Sequence, residues 1–279
     1  MQDLNKKKNY KKFKFCFFSR NGGVSKKNFY SLNCAYNKND SKQNVNKNRI
    51  LVKKKFCPKK RIILMNQVHS NKVIMVEKKK IGFHDADGII SKRDDITLGV
   101  LTADCAPVII LAKEFYGIIH AGWKGTLNGI LEEALNSFIK KGESQKDISV
   151  FIGPHLKKNS FEVKSDFINT LKKSHIDVDK YIYEKNSNFF FDFSKLLSDK
   201  LNSFNLQKVS LSNTDTFKNP QNYFSHRYFT KKGQDPPIKI DHTTFTHSNL
   251  RKELCLKISR HGAGFLCETS SGFTGASGT

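Results

Sequence analysis

Thr97-Leu98-Gly99-Val100-Leu101, Pro107-Val108-Ile109-Ile110-Leu111 and Tyr116-Gly117-Ile118-Ile119-His120 follow one another closely, and Gly122-Trp123-Lys124-Gly125-Thr126 closes the series. Each apolar run is four or five residues long and rich in β-branched side chains, which predicts successive buried strands. After Thr126 the period changes. Leu127, Ile130, Leu131, Ala134, Leu135, Phe138 and Ile139 form the stripe of an amphipathic helix, and Gly142 stands where a helix stop belongs.

Working outward, Lys14-Phe15-Cys16-Phe17-Phe18 reads as a strand closed by a turn at Ser19-Arg20-Asn21-Gly22-Gly23. Residues 37–48 are rich in Asn, Lys and Asp, a solvated loop or helix face. Arg61–Met65 and Val73–Val76 read as two strands joined through the polar turn Asn66-Gln67-Val68-His69-Ser70-Asn71, and Asp85-Ala86-Asp87-Gly88 leads into a further strand. Downstream, Val150–Ile152 and Val209–Leu211 read as strands, and Phe167–Leu171 and Phe193–Leu201 as helices. The organisation predicted is a disordered basic N-terminus over 1–12, one catalytic domain over 13–234, and an atypical tail over 235–279. The tail opens on the linker signal Asp235-Pro236-Pro237 and ends in a Gly/Ser/Thr-rich stretch expected to be flexible.

Lys and Arg number 49 against 25 Asp and Glu, a net charge of +24 that would attract polyanions. The excess is Lys, spread over the whole chain, with no aromatic-interleaved basic motif of a nucleic-acid module, so nucleic-acid binding is not expected. Six cysteines without a CxxC pair do not make a disulfide scaffold. The first fifteen residues carry charge but no apolar stretch of signal-peptide type, and no run reaches the ~18 apolar residues of a membrane span. The expectation is a cytoplasmic protein with reduced thiols and no membrane partner.

Zinc favours imidazole and thiolate ligands, and a catalytic site keeps three protein ligands and an open position. His69, Cys105 and His120 would supply such a set, each in a short polar break at the edge of an apolar strand. Their separations of 36 and 15 residues match no compact ligand motif. Taken singly, each is as readily a packed cysteine or a hydrogen-bonded histidine.

The neighbourhood adds more. Thr102-Ala103-Asp104-Cys105-Ala106-Pro107 and His120-Ala121-Gly122-Trp123-Lys124-Gly125 stand with Phe18–Ser25, Asn66-Gln67-Val68-His69, Asp85-Ala86-Asp87-Gly88 and Phe224-Ser225-His226-Arg227. In this order, from Phe15 to Arg227, they resemble the polyphenol oxidase or laccase-domain family, first described as multicopper oxidoreductases and later as purine nucleoside phosphorylases.

The resemblance implies a single α/β (α+β) domain with mixed β-sheets stacked between helical layers. It implies zinc bound by His69, Cys105 and His120, with copper as the alternative metal. It further implies phosphorolysis of adenosine, inosine, guanosine and S-methyl-5′-thioadenosine, together with adenosine deamination; the partners are then a purine nucleoside and phosphate. Within that chemistry, Cys105, Asp104 and His69 are the catalytic candidates, Asp104 as a proton shuttle or as a hydrogen-bonding support of a ligand. Arg20, beside the glycine turn, is the first choice for gripping phosphate and Arg227 the second. Gln67 and Asn66 could bond base or sugar, Trp123 is better read as core, and Asp85 and Asp87 as turn caps.

The chain departs from the family's pattern at His155–Ser160, which replaces a Gly-Pro-Cys segment, and beyond Lys231, where the last strand could be missing or replaced. Two rival chemistries remain: a Cys105/His120 hydrolase of deamidase type, and copper-dependent phenol oxidation, for which nine scattered histidines do not form the several clusters required.

Overall fold

The computed structural model describes residues 8–36, 39–77, 85–174 and 176–233, and the backbone of 256–260. In chain order the strands are β1 (Lys8–Tyr10), β2 (Phe13–Phe17), β3 (Arg61–Ile63), β4 (Val73–Met75), β5 (Gly88–Ser91), β6 (Ile96–Val100), β7 (Ala106–Leu111), β8 (Tyr116–Ala121), β9 (Ser149–Ile152), β10 (Glu162–Val163), β11 (Ile182–Lys185), β12 (Asn188–Phe191), β13 (Lys208–Leu211) and β14 (Leu256–Arg260). The helices are α1 (Lys42–Phe56), α2 (Trp123–Leu127), α3 (Ile130–Lys140), α4 (Ser165–Lys173), α5 (Phe193–Asn202) and α6 (His226–Lys231).

Two large mixed sheets carry the fold. One runs β1-β2-β14-β6-β3 and the other β13-β9-β7-β8-β5-β4, with a small β10-β12-β11 sheet beside them. Phe13, Phe15, Leu98 and Val100 from the first sheet meet Ile89, Ile109, Tyr116 and Ile118 from the second in one buried cluster. The opposite face of the second sheet, with Val108, Ile110 and Ile119, packs on Leu131, Leu135 and Phe138 of α3 and Leu196, Leu197 and Leu201 of α5. Val52 and Phe56 of α1 pack with Cys16 and Phe18 on the outer side of the first sheet. Helix, sheet, sheet and helix therefore lie in layers, as expected, and the central strands are buried on both faces, which is why they read as continuous apolar runs.

The segment after Thr126 is not one helix. Gly129 takes φ +85°, a left-handed conformation that ends α2 and starts α3 in a new direction, and Gly142 at φ +87° closes α3. Helix α1 begins within the stretch read as a solvated loop or helix face: its four buried positions, Val45, Asn48, Val52 and Phe56, make a narrow stripe that seven-residue spacing of apolar groups only partly announces.

The ends and turns add three findings. Lys8–Tyr10, placed in the disordered N-terminus, pairs antiparallel with β2 because Phe13 and its neighbours offer a strand edge. Leu256–Arg260, placed in the atypical tail, lies between β2 and β6 and bonds to both; its alternation of Leu256 and Ile258 with Lys257 and Ser259 is a strand signal in its own right. Lastly, the two strands around Asn66–Asn71 do not pair with each other. β3 joins β6 in one sheet and β4 joins β5 in the other, so this turn crosses between the sheets. Among the described residues no helix is long and apolar enough to cross a membrane.

Candidate metal centre

Antiparallel pairing of β7 and β8 sets Ala106 opposite Ala121 and Pro107 opposite His120. Cys105, immediately before β7, therefore meets His120 near the end of β8, and the fourteen residues between them are only the hairpin. His69 arrives from the crossing turn between β3 and β4. The ligand atoms of His69, Cys105 and His120 all lie within 4.8 Å of one another, and among the described residues no other such group of His, Cys, Asp or Glu was found. His69 Nε2 is 3.6 Å from Cys105 Sγ. The two imidazoles face each other edge to plane, centroids 4.8 Å apart at 78°.

Asp87 organises this centre, a part that its position before Gly88 did not announce. Its carboxylate is wholly buried, yet one oxygen is 2.7 Å from His120 Nδ1 and accepts the backbone N–H of His69 at 3.1 Å. The other accepts the backbone N–H of Ser70 at 2.7 Å, the Ser70 hydroxyl at 2.8 Å and the N–H of Val68 at 3.2 Å. Burial by itself would raise the Asp87 carboxyl, but His120 and Ser70 outweigh it and hold it below its ordinary value. An ionised Asp87 fixes the proton of His120 on Nδ1 and frees Nε2 for the centre, the usual support of a metal-bound histidine. It also holds His69 in a left-handed backbone conformation, φ +60°, costly for a residue with a Cβ.

Burial pushes the Cys105 thiol up, but His120 and His69 more than reverse this and favour the thiolate. Burial likewise opposes charge on His120, while the Cys105 thiolate and Asp87 draw a proton onto it. Without a metal these shifts favour a thiolate beside an imidazolium, and a metal ion would replace that proton. Space is kept for the group. A Cβ on Gly122 would lie 2.7 Å from His69 Cδ2 and 3.4 Å from Cys105 Sγ. One soft thiolate, two imidazoles, a carboxylate behind one of them and a neighbouring glycine fit a metal ion with an open position.

Asp104 lies beside this set with φ +83°. Its carboxylate accepts the Thr216 hydroxyl at 2.6 Å and the backbone N–H of Arg227, at the start of α6, at 2.7 Å. Burial raises it to about 6 against those bonds. The half-buried Arg227 guanidinium stands 5.7 Å from the centre of the Phe161 ring, with Asp104 and Glu162 as its nearby acidic groups.

Two other candidates are placed differently from the expectation. The Arg20 guanidinium is buried, donates to the carbonyls of Tyr30, Pro220 and Asn28 at 2.5, 2.8 and 3.2 Å, and stacks 4.1 Å from the centre of Phe224. It ties its own turn to two other segments, at Asn28–Tyr30 and at Pro220, and three carbonyl dipoles pointing at it disfavour an added phosphate. Gln67 is also turned inward: its amide donates to Leu101 O at 2.7 Å and its carbonyl accepts Leu101 N–H at 2.9 Å. Asn66 donates to Asp85 at 2.5 Å. Trp123 is half-buried and packs 4.6 Å from the Phe167 ring.

A purine nucleoside phosphorylase of Rickettsia prowazekii is 30% identical over 170 residues, 60% of this chain and 70% of that protein. One of Haemophilus influenzae is 28% identical over 222 residues, 77% and 89% of the two chains. Among solved structures, a Neisseria meningitidis protein superposes with a TM-score of 0.75 at 21% identity, covering 92% of this chain and 99% of its own. YlmD from Geobacillus stearothermophilus superposes with a TM-score of 0.73 at 21% identity, covering 93% and 100%. With the described family pattern matching residues 14–235, around this His-Cys-His centre, the chain belongs to the multi-copper polyphenol oxidoreductase laccase family.

Proposed function

We propose that the protein is a zinc-dependent purine nucleoside phosphorylase acting on adenosine, inosine, guanosine and S-methyl-5′-thioadenosine, with adenosine deaminase activity at the same centre. The observation that carries this reading is the convergence of His69, Cys105 and His120 within 4.8 Å, in a chain whose relatives bear the phosphorylase name. A thiolate with two imidazoles suits zinc, and one such cluster among the described residues does not resemble the several histidine groups of a multicopper oxidase.

Zinc held there would supply Lewis acidity to the reacting group. In phosphorolysis a phosphate oxygen bonds to ribose C1′ as the bond from C1′ to the purine nitrogen breaks, and the departing base takes up a proton. In deamination, water adds at C6 of the purine and ammonia leaves. Both need a group that holds a proton near neutrality, a role we assign to Asp104, the chain neighbour of Cys105, whose carboxyl is raised by burial to about 6. With Arg20 bonded to carbonyls, we assign the phosphate to Arg227, whose guanidinium has Asp104 nearby. Asp87 keeps both histidines in register through the His120 ring and the His69 backbone.

The hydrolase reading draws on one observation, the 2.7 Å contact of Asp87 with His120, which completes a Cys105–His120–Asp87 relay of cysteine-hydrolase type. That relay has no use for His69. The test is incubation of zinc-loaded protein with inosine, adenosine and methylthioadenosine, with and without phosphate, followed by chromatography. Phosphate-dependent release of free base supports the proposal; no turnover of any nucleoside overturns it.

A further inference from the structure

We propose that Lys157 is a positioning residue for Cys105: its ammonium group locks the loop whose backbone bonds the chain on both sides of that cysteine. The inference rests on the reading of Cys105 as a metal ligand.

The loop leaving β9 reaches back to the centre twice. Gly153 N–H donates to Pro107 O at 2.9 Å and Leu156 N–H to Asp104 O at 3.0 Å, so Cys105 sits between two gripped carbonyls. A third connection passes through His155, whose carbonyl accepts Thr216 N–H at 3.3 Å; the Thr216 hydroxyl then bonds the Asp104 carboxylate at 2.6 Å. Asp104 needs this hold. Its φ of +83° is a conformation that strains a residue with a Cβ and persists only where the surroundings impose it.

The loop is itself fixed at Lys157. Its Nζ lies 3.0 Å from His155 Nε2, 3.2 Å from Ser194 Oγ on α5 and 2.5 Å from Ser212 O just beyond β13. Three acceptors match the three protons of an ammonium group. His155 Nδ1 is 2.8 Å from Gly153 O, so that nitrogen carries the proton and Nε2 is an acceptor, facing both the Lys157 ammonium and the Ser194 hydroxyl at 2.9 Å. Burial lowers Lys157 to about 8, with Asp215 and Asp192 opposing the shift, and the ammonium form therefore persists at neutral pH. Lys157 thus ties three elements, the β9 loop, the start of α5 and the end of β13, at the point from which the Cys105 backbone is held. These bonds go to His155, Ser194 and Ser212 and not to His69, Cys105 or His120, so its effect runs through the loop.

The test uses the full chain and its Lys157→Met and Lys157→Arg variants, with two measurements. The first is the thiolate-to-cobalt charge-transfer band after loading with Co(II), which reports the geometry at Cys105. The second is the iodoacetamide alkylation rate of Cys105 in metal-free protein, followed by peptide mapping. We expect Lys157→Met to shift the band and speed alkylation several-fold, and Lys157→Arg, which restores a charged donor, to bring both back toward the parent. A Lys157→Met protein with the parent's band and rate overturns the proposal. So does a change that Lys157→Arg leaves unrepaired, because it marks general loosening. If the parent chain takes up no cobalt, the metal reading fails, and the alkylation arm still decides the role of Lys157.

Discussion

Asp87 and His120 are bound twice over: the carboxylate lies 2.7 Å from the ring Nδ1, and the Asp87 carbonyl accepts the His120 backbone N–H at 2.7 Å. The side chain and main chain of one residue thereby fix the ring and the strand position of the other. The same carboxylate holds the His69 backbone at 3.1 Å, so a single acid sets both imidazoles.

Asp87→Asn keeps the size but turns an amide N–H toward donors that previously met an oxygen. We expect metal affinity to fall about 10–100-fold, measured by competition with a chromophoric chelator, with the fold retained by circular dichroism. Unchanged affinity would remove Asp87 from its place behind the ligands.

Gly122→Ala tests space rather than backbone freedom, since Gly122 has an ordinary φ of −80°. The added methyl would stand 2.7 Å from His69 Cδ2 and must displace that ring. Metal uptake should drop sharply while the unfolding free energy shifts by no more than about 1 kcal/mol; the reverse pattern would show that the site tolerates the methyl and the fold does not.

His69→Ala separates the two chemistries. As a ligand it should cost the zinc equivalent and all nucleoside turnover, as Cys105→Ala does. A protein that loses its metal yet still hydrolyses a substrate through Cys105 and His120 would favour the cysteine hydrolase.

Arg20→Met and Arg227→Met should diverge. The first strips three carbonyls of a buried cation and should destabilise by about 2–4 kcal/mol, with little effect on the KM for phosphate in whatever folds. The second should raise that KM about tenfold or more and leave urea unfolding nearly unchanged.

His155 makes a contribution of definite sign to the pH dependence of stability. Burial, then Lys157, lowers it from 6.5 to about 3. Between those values the unfolded chain binds a proton that the folded chain refuses, so stability rises with pH across the window and is lost as pH falls through it. Urea unfolding at pH 7 and pH 4.5 should show a loss on the order of 2–3 kcal/mol from this group alone. His155→Gln, which cannot titrate, should flatten the slope; an equally steep slope in that variant would assign it elsewhere.

Strands were legible in the sequence because burial on both faces leaves a local mark: Pro107–Leu111 and Tyr116–His120 are apolar residue after residue, and β7 and β8 lie where those runs lie. The His69-Cys105-His120 cluster was legible through its motifs, which sit at strand ends. What the sequence by itself determined, then, was the layered α/β class and the three residues of the centre. Tertiary structure decided who serves them. Whether Arg20 meets a phosphate or three carbonyls, and whether Gln67 faces a ligand or Leu101, depends on chain segments that approach from far along the sequence. Asp87 is the sharpest case, for before Gly88 it looks like a turn cap, and only the crossing of His69 between the two sheets brings both histidines to its carboxylate. Hydrophobic periodicity is a property of neighbours in the chain; hydrogen-bond partnership of buried polar groups is a property of neighbours in space.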